Sequence, residues 1–224
     1  SQVAFGEGFC QDDLGRRGFT VKDRCLYLVD QESGAFHTAN GLPVLDQYDH
    51  YECHHGLGYT TIYAEKNGIA SEYTIFVPTE GNFEQWIVKV TNKREAALKL
   101  GTIAYCASDT DNSYTPQGYN SQMADFDEDL NAVWARTLTP FKVGVPRHAY
   151  GYMMCDTKVS GYDNRRSAFI GTYGTKEQPE ALVCNKGRCT NSFNCVEKCC
   201  HVLEVSTLLA PGQEITVCFQ IVFA

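Results

Sequence analysis

Residues 59–77, YTTIYAEKNGIASEYTIFV, decide the fold. Ile69, Tyr73, Ile75 and Val77 fall on alternate positions, a spacing that gathers apolar side chains on one face of an extended strand and scatters them around a helix. Asn67-Gly68 interrupts the pattern with two residues that tolerate positive φ, so the stretch reads as a β-hairpin closed by a two-residue turn. The same alternation extends outward on both sides. EQWIVKVT (84–91) sets Trp86, Val88 and Val90 on one face, NKREA turns, and ALKLGTIAYCA (97–107) brings Leu98, Leu100 and Ala104 into phase. Near the C-terminus HVLEVSTLL, the turn APGQE and ITVCFQIVF repeat the pattern, with Ile215, Val217, Phe219, Ile221 and Phe223 on one face. The best helical candidate, SQMADFDEDLNA (121–132), is short and acidic. Many strands with almost no helix predict an all-β fold, a large antiparallel β-sandwich formed as one domain over residues 1–224.

Composition narrows the function classes. The chain is 43% apolar and 21% charged, and none of its apolar runs reaches the roughly 20 residues that span a bilayer, so no membrane partner is expected. A formal charge of -8 argues against a nucleic-acid surface, which needs clustered Lys and Arg. The start, SQVAFGEGFCQDD, has no charged n-region followed by an apolar stretch. Eleven cysteines, some on apolar strands such as TVCFQIVF, read as buried reduced thiols, and a cytoplasmic location is expected.

Three stretches invite chemical readings. CNKGRCTNSFNCVEKCCH (184–201) has wide or adjacent cysteine spacings instead of the C-x2-C knuckles of zinc sites, so it reads as a thiol-rich loop entering a strand, with no metal. DFDEDLN (125–131) begins like a calcium loop, but Leu130 stands where that loop needs Gly and Arg136 where it needs Glu, leaving a solvated turn. In HYECHHGLGYTTI (50–62), His54 and His55 are consecutive and point to opposite faces of a strand. They cannot chelate one ion together. Cys53 and His55 share a face but lack further ligands, so the stretch reads as a rigid entry to a central hairpin, turned by Gly56 and Gly58.

YECHHGLGYTTIYAEKNGIASEYTIFVP resembles the N-terminal sandwich domain of the cellobiose phosphorylase family, the inverting glycoside phosphorylases that include chitobiose and cellodextrin phosphorylases. GFTVKD, EQWIVKVTN, GYDNRRSAFIG and LAPGQE follow in family order, so the resemblance runs from about residue 18 to the end of the chain. His55, Gly56, Gly58, Tyr59 and Thr60 match the family, while His54 replaces its usual Arg. The resemblance implies a supersandwich fold of the galactose-mutarotase type, with the strands that precede GFTVKD in the family missing here. It also implies that the catalytic Asp and most phosphate ligands lie on an (α/α)6 barrel beyond the sandwich. No catalytic residue is then expected among these residues. No bound cofactor is implied either, inorganic phosphate being the full enzyme's co-substrate. The family's enzymes are homodimers in which a sandwich loop reaches the partner subunit's active site; that loop corresponds to Ser108–Gln122, where Asn120 and Gln122 would bind sugar or phosphate oxygens through their amides. Two other readings compete: a stand-alone carbohydrate-binding module, suggested by Trp134 and 13 tyrosines, and a structural docking domain that presents an apolar patch.

Overall fold

The structure, a computed structural model, describes residues 20–44, 46–81, 83–109, 122–138, 148–195 and 197–223. In chain order the elements are β1 (Thr20–Asp30), β2 (Phe36–Thr38), β3 (His50–Gly56), β4 (Tyr59–Lys66), β5 (Ile69–Phe76), β6 (Phe83–Asn92), β7 (Leu98–Asp109), β8 (Gln122–Asp127), β9 (Ala132–Leu138), β10 (His148–Cys155), β11 (Gly161–Arg165), α1 (Arg166–Phe169), α2 (Glu180–Asn185), β12 (Cys199–Leu209) and β13 (Glu214–Phe223). Two antiparallel sheets stack face to face, one of five strands in the order β11-β12-β7-β1-β2 and one of eight in the order β3-β4-β5-β6-β13-β10-β9-β8. The all-β sandwich expected from the alternation is the fold.

The opening hairpin forms as read: Lys66 pairs with Ile69, and Asn67 and Gly68 turn at φ 53° and 71°. Ile69, Tyr73 and Ile75 are buried with Trp86, Val88 and Val90, with Leu98, Leu100 and Ala104, and with Val217, Phe219 and Ile221 in the layer between the sheets. The Tyr73 and Trp86 rings meet edge to face at 6.0 Å. Trp86 donates its indole N–H to Glu84, 2.5 Å away, and Glu84 faces the Arg24 guanidinium at 3.2 Å. Burial pushes the Glu84 carboxyl up, against the pull of Arg24 and of the indole bond.

A third layer was not foreseen. Tyr27, Val29, Ile103, Tyr105 and Val202 point away from the other sheet and pack beneath Phe169, Ile170, Ala181 and Leu182 of the helical segment. This is why β7 and β12 are buried on both faces, whereas β5, inside the eight-stranded sheet with one face toward solvent, alternates.

Both turns read at NKREA and APGQE carry the chain from one sheet to the other: β6 to β7, and β12 to β13. Asn92 binds the two crossings together. Its amide donates to the carbonyls of Ala96, Leu209 and Ala210 at 2.9, 3.0 and 3.2 Å, and its Oδ1 accepts the N–H of Arg94 at 3.0 Å. Arg94 then reaches Asp30 at 2.7 Å and the Asn67 carbonyl at 2.8 Å, linking the turns that follow β1 and β4.

Three expectations are corrected. SQMADFDEDLNA is not helical: β8 runs from Gln122 to Asp127, paired with β9, and Asp127 then accepts the N–H groups of Asp129 and Leu130 in a tight turn. The hairpin entered at HHGLGYT is not central but lies at the edge of the eight-stranded sheet. The thiols are not uniformly buried either. Cys25, Cys106, Cys155, Cys199 and Cys200 are, but Cys53, Cys184 and Cys195 are exposed, because β3 is an edge strand, Cys184 sits on α2 and Cys195 on the following loop.

Candidate functional site

β3 alternates as its sequence demands, with His50, Glu52 and His54 on the outer face of the eight-stranded sheet and Cys53 and His55 on the other. Gly56 and Gly58 make its turn. A Cβ on Gly56 would fall 2.1 Å from the Tyr59 ring, and Gly58 turns at φ 86°, so side chains at these two positions would clash or strain. His55 bonds Thr60 Oγ1 at 2.9 Å and lies 3.6 Å from Cys53 Sγ.

On the outer face the histidines and carboxylates converge. Glu52 receives His54 Nε2 at 2.6 Å and stands 3.7 Å from His50 Nε2. The His54 ring meets Tyr63 edge-on at 5.8 Å, and Tyr63 donates to Glu72 at 3.5 Å. Lys93 pairs with Glu65 at 2.6 Å, and Lys89 with Glu214 at 2.9 Å. All of these except Glu214 line an open groove of 540 Å³ across β3, β4, β5 and β6. The Glu72 carboxylate pushes the Tyr63 phenol up, and the hydrogen bond that Lys89 donates to Glu214 pushes its ammonium up, so each keeps its ordinary protonation state near neutrality. Each lysine in the groove has a carboxylate beside it, and the carboxylates of Glu52, Glu65 and Glu72 outnumber the two ammonium groups, which disfavours a phosphate and leaves donors and acceptors that suit a neutral, hydroxyl-rich ligand. Among the described residues, no three His, Cys, Asp or Glu side chains are placed to hold a metal ion.

Farther along the same face, Tyr152 pairs with Trp134, and Tyr150 with Arg136. The two tyrosine rings lie nearly parallel, 6.4 Å apart, and the Arg136 guanidinium sits 5.8 Å from the Tyr150 ring centre. Trp134 is half-buried on this outer face, not in the core.

The cysteine-rich run owes its shape to carboxylates. Asp163 accepts the backbone N–H groups of Thr190 and Ser192 and the Thr190 hydroxyl. Glu204 accepts the N–H of Cys189 at 2.8 Å and the Gln31 amide at 2.9 Å. These bonds fix the loop between α2 and β12 through buried charges; burial pushes the Cys189 and Cys200 thiols up, and both stay protonated.

The expected substrate loop is only partly in view. Ser108 and Asp109, at the start of the expected loop, belong to β7. Gln122 is the first residue of β8 and pairs with Thr137. Asn120 lies outside the described residues. Alternation applied to His50 as well as His54 would have found the His50–Glu52–His54 triplet; the lysines and glutamates opposite it come from other strands, and only the sheet order brings them there.

A supersandwich domain model, described as "Glycosyl hydrolase 94, supersandwich domain", matches residues 21–224. The chain belongs to this glycosyl hydrolase 94 supersandwich family. It is 30% identical over 212 residues to the solabiose phosphorylase of Paenibacillus borealis, covering 94% of this chain and 26% of that protein. It is 29% identical over 204 residues to the N,N'-diacetylchitobiose phosphorylase of Vibrio furnissii, covering 85% and 24%. The supersandwich thus spans about a quarter of the length of these curated relatives. A putative kojibiose phosphorylase from the human microbiome shares the fold with a TM-score of 0.53 at 9% identity, over 99% of this chain and 24% of that one. No helix among the described residues is long and apolar enough to cross a membrane.

Proposed function

We propose that these residues are the non-catalytic sandwich module of a glycoside phosphorylase, an enzyme that reversibly transfers a glycosyl unit between a β-linked disaccharide and inorganic phosphate in the cytoplasm. The observation that carries this reading is the family match over residues 21–224 together with relatives that are phosphorylases about four times as long. The module's partners are a helical catalytic barrel elsewhere in the full-length protein and a second subunit, and its loop, with Asn120 and Gln122, completes the partner subunit's substrate site. Glycosidic cleavage needs a positioned acid, which this reading assigns to the barrel. The Tyr150, Tyr152 and Trp134 row favours a second reading, a stand-alone carbohydrate-binding module whose rings stack on sugar faces.

The test is made on the full-length protein, incubated with β-linked disaccharides and phosphate. Release of a sugar 1-phosphate supports the first reading, and its absence across glucosyl, glucosaminyl and glucuronyl substrates refutes it. Asn120→Ala and Gln122→Ala should each change stability by less than ~0.5 kcal/mol and lower kcat/KM by the equivalent of roughly 0.5 to 1.5 kcal/mol, the worth of one hydrogen bond. Unchanged kcat/KM in both variants removes them from the site.

A further inference from the structure

The registers of β3 to β6 lay Glu52, Tyr63, Glu72 and Lys89 in one row across the outer face of the eight-stranded sheet. In the next row Glu65 and Thr91 flank Ala70, whose side chain ends at Cβ among longer neighbours, so the surface sinks there and the groove forms around it. Three strand spacings give the groove a length of about 14 Å, and neighbouring rows stand about 7 Å apart. Its 540 Å³ lies within the range of about 300–1,000 Å³ typical of small-ligand sites. The walls are polar but already steadied. Lys93 is held by Glu65 at 2.6 Å and Lys89 by Glu214 at 2.9 Å, Glu52 faces His54 at 2.6 Å, and Tyr63 donates to Glu72 at 3.5 Å. Each ammonium still has protons to give and each carboxylate lone pairs to fill, so these contacts fix the polar ends without exhausting them, which lowers the ordering cost of taking up a ligand. The Tyr63 ring, half-buried and met edge-on by His54, adds an apolar wall.

We propose that this groove binds a neutral disaccharide, with one pyranose seated over Ala70, its C–H face against the Tyr63 ring and its hydroxyls shared among Glu65, Glu72, Lys89 and Lys93. A sugar ring matches both halves of this lining at once, since it carries an apolar face and a rim of groups that donate and accept. Other ligand classes meet obstacles. The carboxylates of Glu52, Glu65 and Glu72 against two ammonium groups repel a phosphate, a sulfate or a uronate. A cation would have to displace a lysine, an imidazole or a phenol from the carboxylate it already engages. A purely apolar ligand would bury the charged ends without new partners. The site stands on the groove alone, whatever reaction the full-length protein performs. β13 separates its strands from the Tyr150, Tyr152 and Trp134 row on β10 and β9.

Photoaffinity labelling of the full-length protein tests this. The probe is cellobiose carrying a diazirine on its aglycone; light expels dinitrogen, the carbene inserts into the nearest bonds, and mass spectrometry maps the labelled peptides. Label should appear on the peptides that carry residues 63–72 and 89–93, and excess unmodified cellobiose should suppress it. Ala70→Leu fills the hollow from an outward strand position without removing a polar group, so it should lower this label by about tenfold or more while the circular dichroism spectrum is retained. Glu72→Ala, at an exposed position, should lower it by about threefold or more, and keeps the test valid if Ala70→Leu fails to fold. Trp134→Ala should leave the label unchanged, and because the ligand is neutral so should about a tenfold rise in salt. Label confined to other peptides, label that cellobiose does not displace, label that survives in both groove variants, or label lost in Trp134→Ala overturns the site. Label that falls steeply with salt overturns the neutral class. Release of a sugar 1-phosphate is assayed separately, so its absence refutes the phosphorylase reading and leaves the groove standing.

Discussion

The Asp30 carboxylate offers the sharpest quantitative test of how the two sheets are joined. It accepts Arg94 Nη1 at 2.7 Å and the N–H groups of Glu32 and Ser33 at 3.0 and 3.4 Å. Burial acts to raise its pKa, but the Arg94 bond and these donors prevail and hold it at about 2, from an ordinary 3.8. The Asp30 side chain is only 10% exposed, so solvent screening removes little of the effect. A depression of about 1.8 units corresponds to about 2.4 kcal/mol of stability, at about 1.36 kcal/mol per unit. The sign follows from the depressed value: the contribution is fully present above the unfolded pKa near 4 and is lost as the pH falls through 2. Asp30→Asn retains an acceptor for Glu32 and removes the charge, so it should destabilise the domain by about 2 kcal/mol at pH 7. The deficit should shrink to about half by pH 3 and to about 0.4 kcal/mol at pH 2, where folded wild-type Asp30 is half protonated. Urea unfolding of both proteins across this range, with a common m-value, measures the difference directly. A deficit that stays constant between pH 7 and pH 2, or one below about 0.5 kcal/mol at neutrality, would refute the assignment of Arg94 as a charge staple between the sheets.

Two further outcomes follow from buried polar groups. Asn92→Ala should cost about 3 kcal/mol, since it strands carbonyls from both sheet crossings, and Asn92→Asp should be at least as damaging at pH 7 because a carboxylate cannot donate; a well-tolerated Asp variant in urea unfolding would disprove the donor role. Burial lowers His37 and His201 to about 4 from 6.5, and in both residues the buried Nε2 makes no hydrogen bond. Stability present above pH 6.5 is therefore lost as the pH falls toward 4, by up to about 3 kcal/mol for each residue, and His201→Leu should remove His201's share of that fall; an unchanged pH profile of the urea midpoint would contradict this.

The elements legible in the sequence were those with one wet face. β4, β5, β6 and β13 alternate because an outer face meets solvent, and Asn67-Gly68 announces its turn because few other residue pairs accept positive φ twice in succession. Elsewhere the signal was weaker for identifiable reasons. β8 uses Met, Ala, Asp and Phe, residues that do not favour strands as a set, and it is held extended by its register with β9 and the inward contacts of Ala124 and Phe126. α1 and α2, four and six residues long, are too short to show a helical period.

Sheet membership was the least legible property, and it governs the candidate site. A five-residue turn reads the same whether it closes a hairpin or crosses between layers; what separates the cases is Asn92, whose amide reaches carbonyls more than a hundred residues away. Likewise, the alternation of β3 places His50, Glu52 and His54 on one face wherever that strand lies. Only the order β3-β4-β5-β6 brings them beside Tyr63, Glu72 and Lys89 and, among the described residues, sets them at the edge of the sheet. The chemistry of these side chains was thus available from local periodicity, whereas their role as an edge depends on pairings that the whole sandwich must satisfy at once.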